Sequence, residues 1–158
     1  PELVKKYKQS GILKGTKYGI AARYFPDLDI KNLTRDDAIA IYYLKWWQPM
    51  NLKPICNENL VLHILDHGIN ANKRLAIRML QRIVEVKPDG IIGPVTIKAV
   101  NNWKPYPKTI QGYGLLNGIV EHYIYARHLH YTDQVRKYPW KKKYYKGWLI
   151  RIEKCKIT

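Results

Sequence analysis

The chain has 158 residues, enough for one domain or a small two-part unit. Hydrophobic residues make up 46% of it, so a real core can form and wholesale disorder is excluded. Lys and Arg number 28 against 12 Asp and Glu, a formal net charge of +16 that draws the protein towards polyanions: nucleic acid, anionic lipid or bacterial envelope polymers.

The charge is uneven. From Lys104 to Thr158 there are 12 basic and 3 acidic residues, so the C-terminal third carries +9. No apolar run approaches the roughly 18 residues of a membrane span, and no basic-then-apolar leader opens the sequence. Cys56 and Cys155 fit no Cys-x-x-Cys spacing and are expected to be free thiols.

In chain order, residues 1–17 alternate lysines with small and polar residues around Gly11 and Gly15, and read as a turn or small hairpin. Tyr18 to Tyr24 is predicted as a short helix closed by Pro26. Thr34 has the character of an N-cap, with Asp36 and Asp37 suited to the positive helix end. That helix is expected to run to Trp47 and to stop at Pro49. Leu60, Ile64 and Leu65 mark a helix from Glu58 to Gly68, and Leu75 to Ile83 marks the next.

Pro88-Asp89-Gly90 is a turn, and Pro94 starts a helix where its missing N–H costs nothing. Residues 104–113 read as loop, Leu115 to Tyr131 as a long amphipathic helix, and Trp140 to Lys154 as the last helix. The fold class is mainly α with a small β-hairpin near the start.

Three ordered stretches carry a family resemblance. The first is Thr16-Lys17-Tyr18-Gly19-Ile20, followed by Ala38 to Trp47 with its Tyr42-Tyr43 and Trp46-Trp47 pairs. The second is Asp66-His67-Gly68-Ile69-Asn70, then Leu80-Gln81-Arg82, then Asp89-Gly90-Ile91-Ile92-Gly93-Pro94 with Thr96. The third is Lys146-Gly147-Trp148-Leu149-Ile150-Arg151. Together they resemble glycoside hydrolase family 108, phage and bacterial N-acetylmuramidases with a C-terminal peptidoglycan-binding region.

The resemblance implies a lysozyme-like two-lobed helical fold. A muramidase lobe over 1–57 and a peptidoglycan-binding lobe over 58–158 would form one integrated unit, joined by the helix from Glu58. It implies peptidoglycan as partner, no cofactor and no metal. It also implies synthesis in the cytoplasm of a phage-infected bacterium with action at the cell wall, or virion association.

The family's catalytic glutamate stands in a Glu-Gly-Gly motif about fourteen residues before the threonine. Counting back from Thr16 reaches Glu2, the general acid on this reading, with Thr16 positioning water and Tyr18 lining the cleft. Asp66 and Asn70 are the candidate substrate-binding pair. Two departures stand out. Leu3 and Val4 replace the two glycines, and the segment Lys8 to Gly15 has no carboxylate, although such hydrolysis usually uses two. Lys5 and Lys6 would also lower the pKa of Glu2, the wrong direction for an acid.

Other chemistry is weaker. His63 and His67 lie four apart, as on one helix face, but no third metal ligand follows. Trp140, Lys141-Lys142-Lys143 and Tyr144-Tyr145 form a basic-aromatic strip suited to nucleic acid or to a polyanionic envelope. Two alternative readings therefore stay open: a non-catalytic peptidoglycan-binding or virion structural module, and a basic nucleic-acid-binding protein.

Overall fold

A computed structural model of the chain describes residues 15–104, 108–110, 114–116 and 118–155. It divides into two compact units, with the boundary between Lys45 and Trp46. The architecture is mainly α-helical, with a small hairpin near the N-terminal end of the described residues.

In the first unit, β1 (Thr16–Lys17) pairs antiparallel with β2 (Ile20–Ala21), in the register Thr16↔Ala21 and Lys17↔Ile20. The two turn residues, Tyr18 and Gly19, both have positive φ, 50° and 79°. This is the twist that two-residue hairpins favour. Gly19 adopts it freely, and a Cβ there would run into the Tyr42 hydroxyl. The short helix expected over 18–24 is thus absent, because the left-handed Tyr18-Gly19 pair reverses the chain instead.

Helix α1 (Arg35–Tyr42) begins at Thr34 as expected. Thr34 Oγ1 accepts from the Asp37 N–H at 3.1 Å, and the Thr34 N–H donates to Asp37 Oδ2 at 2.9 Å, a reciprocal cap. The core of this unit is Ile20, Ala22, Ile30, Leu33 and Ala38.

A π-helical stretch follows at Tyr43–Trp47, then the short helix α2 (Gln48–Met50). Pro49 does not end the helix as expected. It sits in the first turn of α2, where no N–H is needed, and Asn51 ends the run in the left-handed conformation, φ 51°.

The second unit contains α3 (Glu58–Asn70), capped by Asn57, and α4 (Lys73–Ile83), capped by Asn72. They are followed by α5 (Pro94–Asn101), β3 (Lys108–Ile110), β4 (Gly114–Leu116), α6 (Ile119–Lys137), a 3-10 turn (Pro139–Lys141) and α7 (Lys142–Lys154). Helix α3, expected to join two lobes, belongs wholly to this unit and packs on α4 and α6. Leu60 and Ile64 of α3 are fully buried among Met50, Leu52, Leu80 and Tyr123.

The loop expected over 104–113 instead contributes a strand. β3 and β4 pair antiparallel, Lys108↔Leu116 to Ile110↔Gly114, and α6 starts only at Ile119. Glycines at 114 and 118 oppose helix there, while Thr109 and Ile110 suit a strand.

Candidate functional site

The first unit presents Thr16 exposed in β1 and Tyr18 half exposed in the turn after it. The Tyr18 carbonyl accepts a hydrogen bond from the Tyr42 hydroxyl at 3.0 Å, which fastens the hairpin to α1. Glu2 lies outside the described residues, so Thr16 and Tyr18 are the two first-unit candidates that the structure brings together.

A 430 Å³ groove in the same unit is lined in part by Asp29, Asn32, Leu33 and Asp37. Both carboxyls are held below the usual range by local hydrogen bonds, Asp29 by Asn32 and Asp37 by Thr34. Each is therefore an ionised acceptor within its own turn, poorly suited to donate a proton near neutral pH.

The second unit places four candidates along one side of α3. His63, Asp66, His67 and Asn70 follow the i, i+3, i+4, i+7 pattern of a helix face. Each finds a partner on α6. Arg127, fully buried, donates from Nη2 to Asp66 Oδ2 at 2.6 Å and from Nη1 to His63 Nδ1 at 3.1 Å. Arg151 of α7 reaches the other carboxylate oxygen at 2.6 Å. Asp66 thus ties three helices together through two guanidiniums. Because Arg only donates, His63 Nδ1 must be the bare nitrogen of a neutral ring.

His67 Nδ1 lies 3.1 Å from the Tyr123 hydroxyl, which donates its one proton to Ala76 O at 3.1 Å. The hydroxyl must then accept, so the His67 proton sits on Nδ1. Burial above all, with the Arg127 and His130 charges adding, pushes the His67 pKa down to about 3. The pair that the sequence offered as a possible metal face is used inside the protein, by Arg127 and by Tyr123.

Asn70 donates to the Tyr131 hydroxyl at 2.9 Å, at the edge of a recess of about 310 Å³. His130, Gln134, Lys141 and Trp148 complete most of its wall. The Trp148 ring is half-buried and stacked on Tyr131, centroids 4.9 Å apart and planes 21° from parallel. Asp66 borders a different recess, of about 450 Å³, beside Arg151 and Cys155.

The turn between α4 and α5 is locked from inside α4. Gln81, 1% exposed, offers Nε2 to Asp89 Oδ1, Ile91 O and Thr96 Oγ1 at 2.8, 3.0 and 3.1 Å. Its Oε1 accepts from the Gly90 N–H at 2.8 Å. Gly90 has φ 83°, and a Cβ there would press on Arg74 backbone and stem at 3.2–3.3 Å, as expected for a tight turn. Gly93, by contrast, has open space at its Cβ position and serves as the N-cap of α5.

These motifs converge with the comparisons. Residues 75–153 match the family described as "Predicted Peptidoglycan domain", and residues 8–71 match "Glycosyl hydrolase 108". The chain belongs to the peptidoglycan-domain family, and the segment ahead of that domain is similar to glycosyl hydrolase 108. Among solved structures, Brucella abortus SagA resembles it with a TM-score of 0.61 at 21% identity, over 97% of this chain and 72% of that one. At that identity the likeness is one of fold. No curated protein matches.

Within this architecture, Thr16, Tyr18, Asp66 and Asn70 all fall in the glycosyl hydrolase 108 segment, while Gln81, Arg127, Tyr131 and Arg151 fall in the peptidoglycan domain. The ion pairs of Asp66 therefore join the two family segments inside one structural unit. Sequence reasoning missed Arg127, Tyr131 and Arg151. A signal existed for the first: Ile119, Tyr123, Arg127 and Tyr131 recur every four residues, placing an arginine in an otherwise apolar stripe. A buried cation on such a stripe calls for an acidic partner, and Asp66 is the acidic residue inside α3 beyond its first turn.

Proposed function

We propose that the chain is a peptidoglycan hydrolase of N-acetylmuramidase type, endolysin-like, which cleaves the β-1,4 glycan backbone with reduced activity. The observation that carries this reading is the order of the two matches, a glycosyl hydrolase 108 segment followed directly by a peptidoglycan domain. The +16 charge supports a role at an anionic envelope. On this reading the protein is made in the cytoplasm of a phage-infected bacterium and acts at the wall, or travels with a virion.

Glu2 protonates the leaving glycosidic oxygen, Thr16 positions the attacking water and Tyr18 lines the cleft. The carboxylate normally supplied before the threonine is missing, and loss of a positioned acid or base costs about 10²–10⁴-fold in rate. Turbidity clearing and reducing-end release on purified peptidoglycan are expected to be slow, and Glu2→Gln is expected to abolish both. Rapid lysis unaffected by Glu2→Gln would show the active site to be elsewhere.

The second reading, a wall-binding or virion module without catalysis, is favoured by Asp29 and Asp37 being tied to their own turns. Both readings expect the protein to sediment with insoluble peptidoglycan. The binding should weaken as salt rises, since screening cuts electrostatic reach to about 10 Å at 0.1 M. Binding indifferent to salt would make the charge incidental.

A further inference from the structure

The corner where α6 meets α7 carries chemistry that the hydrolytic reading leaves unused. From Lys137 to Arg151 there are six Lys and Arg residues and no Asp or Glu. Arg151 is engaged by Asp66, which leaves five lysines. Aromatic rings run between them. Trp148 stacks on Tyr131, Tyr144 follows with its ring 6.0 Å from Trp148, and Trp140 lies 6.3 Å from Tyr144.

Exposure rises along the row, from half-buried Trp148 to Tyr144 at 46% and Trp140 at 63%. Lys141 Nζ lies 4.4 Å from the Tyr138 ring centroid and 5.5 Å from that of Trp140, and Lys143 Nζ lies 5.1 Å from that of Tyr144. Rings of this size left in water next to a recess mark a binding surface rather than a core.

Beside Lys141, whose Nζ donates to Gln134 Oε1, the recess at the inner end holds neutral hydrogen-bonding groups. Asn70 and Gln134 bring side-chain amides, and His130 is kept towards its neutral form by burial, with Asp133 opposing and Lys141 adding. Its volume, about 310 Å³, is at the small end for a ligand pocket. Amides and a neutral imidazole suit sugar hydroxyls and an acetamido group. The flat faces of Trp148, Tyr144 and Trp140 suit the C–H faces of pyranose rings, and the lysines suit carboxylates.

We infer that this recess and the aromatic row leading from it form a saccharide subsite for the glycan strand of peptidoglycan. One sugar ring is held in the recess against Trp148 and the next lies along Tyr144 and Trp140, while Lys141 and Lys143 meet the carboxylates of the stem peptide. The inference rests on the reading that this protein engages peptidoglycan, and it adds where. Aromatic rings between lysines also suit single-stranded nucleic acid. The recess with its side-chain amides favours the sugar, since a stacking platform for bases needs no such pocket.

The test uses the full chain, the double variant Trp140→Ala/Tyr144→Ala and the single variant Lys141→Ala. The double variant removes two exposed rings and Lys141→Ala a half-buried lysine bonded to Gln134, and circular dichroism verifies that both fold. The probes are insoluble peptidoglycan, a soluble disaccharide-peptide released from it, and an oligodeoxythymidylate. The double variant is expected to bind the disaccharide-peptide about tenfold more weakly, and Lys141→Ala about threefold more weakly, as for groups central to a contact.

A folded double variant that binds the disaccharide-peptide like the parent overturns the subsite. So does a parent protein that prefers the oligodeoxythymidylate. A parent protein that fails to sediment with peptidoglycan at all overturns the underlying reading instead, so the two failures are distinguishable.

Discussion

The two units are held together by different means. Among the described residues, the first unit has five buried hydrophobic residues, and its order comes largely from local devices: a two-residue turn, a reciprocal cap and a tyrosine hydroxyl fastening that turn to a helix. The second has eighteen, fourteen of them in one cluster, and through its helices runs a polar network in which one carboxylate meets two guanidiniums. Small cores leave little margin, whereas a large core tolerates the cost of burying charge only while every partner stays in place. The difference teaches that the second unit is built for rigidity and the first, proposed to carry the chemistry, from replaceable local parts.

Arg127→Met is the hardest test of that contrast. It leaves Asp66 with one partner and His63 with none of its Arg127 bonds, and is expected to cost about 3–5 kcal/mol in denaturant unfolding. A loss below about 1 kcal/mol would mean that the network is decoration on a core that holds without it.

Acid should separate the units next. His67 is neutral in the fold, its pKa down at about 3 against an ordinary 6.5. The unfolded chain gains a proton near 6.5, so stability is fully present above that pH and is lost as pH falls towards 3. His128 and His130 are displaced in the same direction, chiefly by burial. The thermal midpoint of the second unit should drop by several degrees between pH 6.5 and 4.5, with His67→Phe flattening the slope. The first unit has no histidine. A midpoint that ignores this window would remove buried imidazole from the argument.

The smallest effect is expected from Thr34→Ala. Losing the cap should cost about 1 kcal/mol, and only in the first unit. Hydrogen exchange should show faster opening of the first turn of α1 with α3 and α6 unaffected. An equal rise in all three would mean that the two units unfold as one.

Much of the helical plan was legible because caps and periodicity are local. Thr34, Leu75 to Ile83 and Pro94 lie where their chemistry put them. The hairpin of β1 and β2 reads locally as a helix over 18–24 because the deciding feature is the left-handed pair at Tyr18 and Gly19, and a tyrosine does not announce positive φ. The strand pairing after Trp103 was hidden for a different reason, since Leu115 and Leu116 continue an apolar pattern into α6 that the glycines interrupt.

At the candidate site, Asp66 and Asn70 could be singled out from their motif, but their partners lie 61 residues away on α6. Pairing of that kind depends on how helices pack, and a single sequence does not encode it locally.

The turn at Ala71 and Asn72 has a practical consequence for taking the protein apart. It is where the two family segments meet, between residues 71 and 75, and so it looks like the natural seam. Yet α3 lies before it and α4 after it, and the two pack on each other inside one unit. A fragment starting at Leu75 would lack α3, leaving Arg127 without Asp66 and the face of Tyr123 without His67. A fragment ending at Ala71 would expose Leu60 and Ile64, fully buried in the whole chain. Family match and mechanics part company here: the segment that matches glycosyl hydrolase 108 ends by serving as the keel of its neighbour, and a graft, swap or truncation at this seam would divide one packed unit.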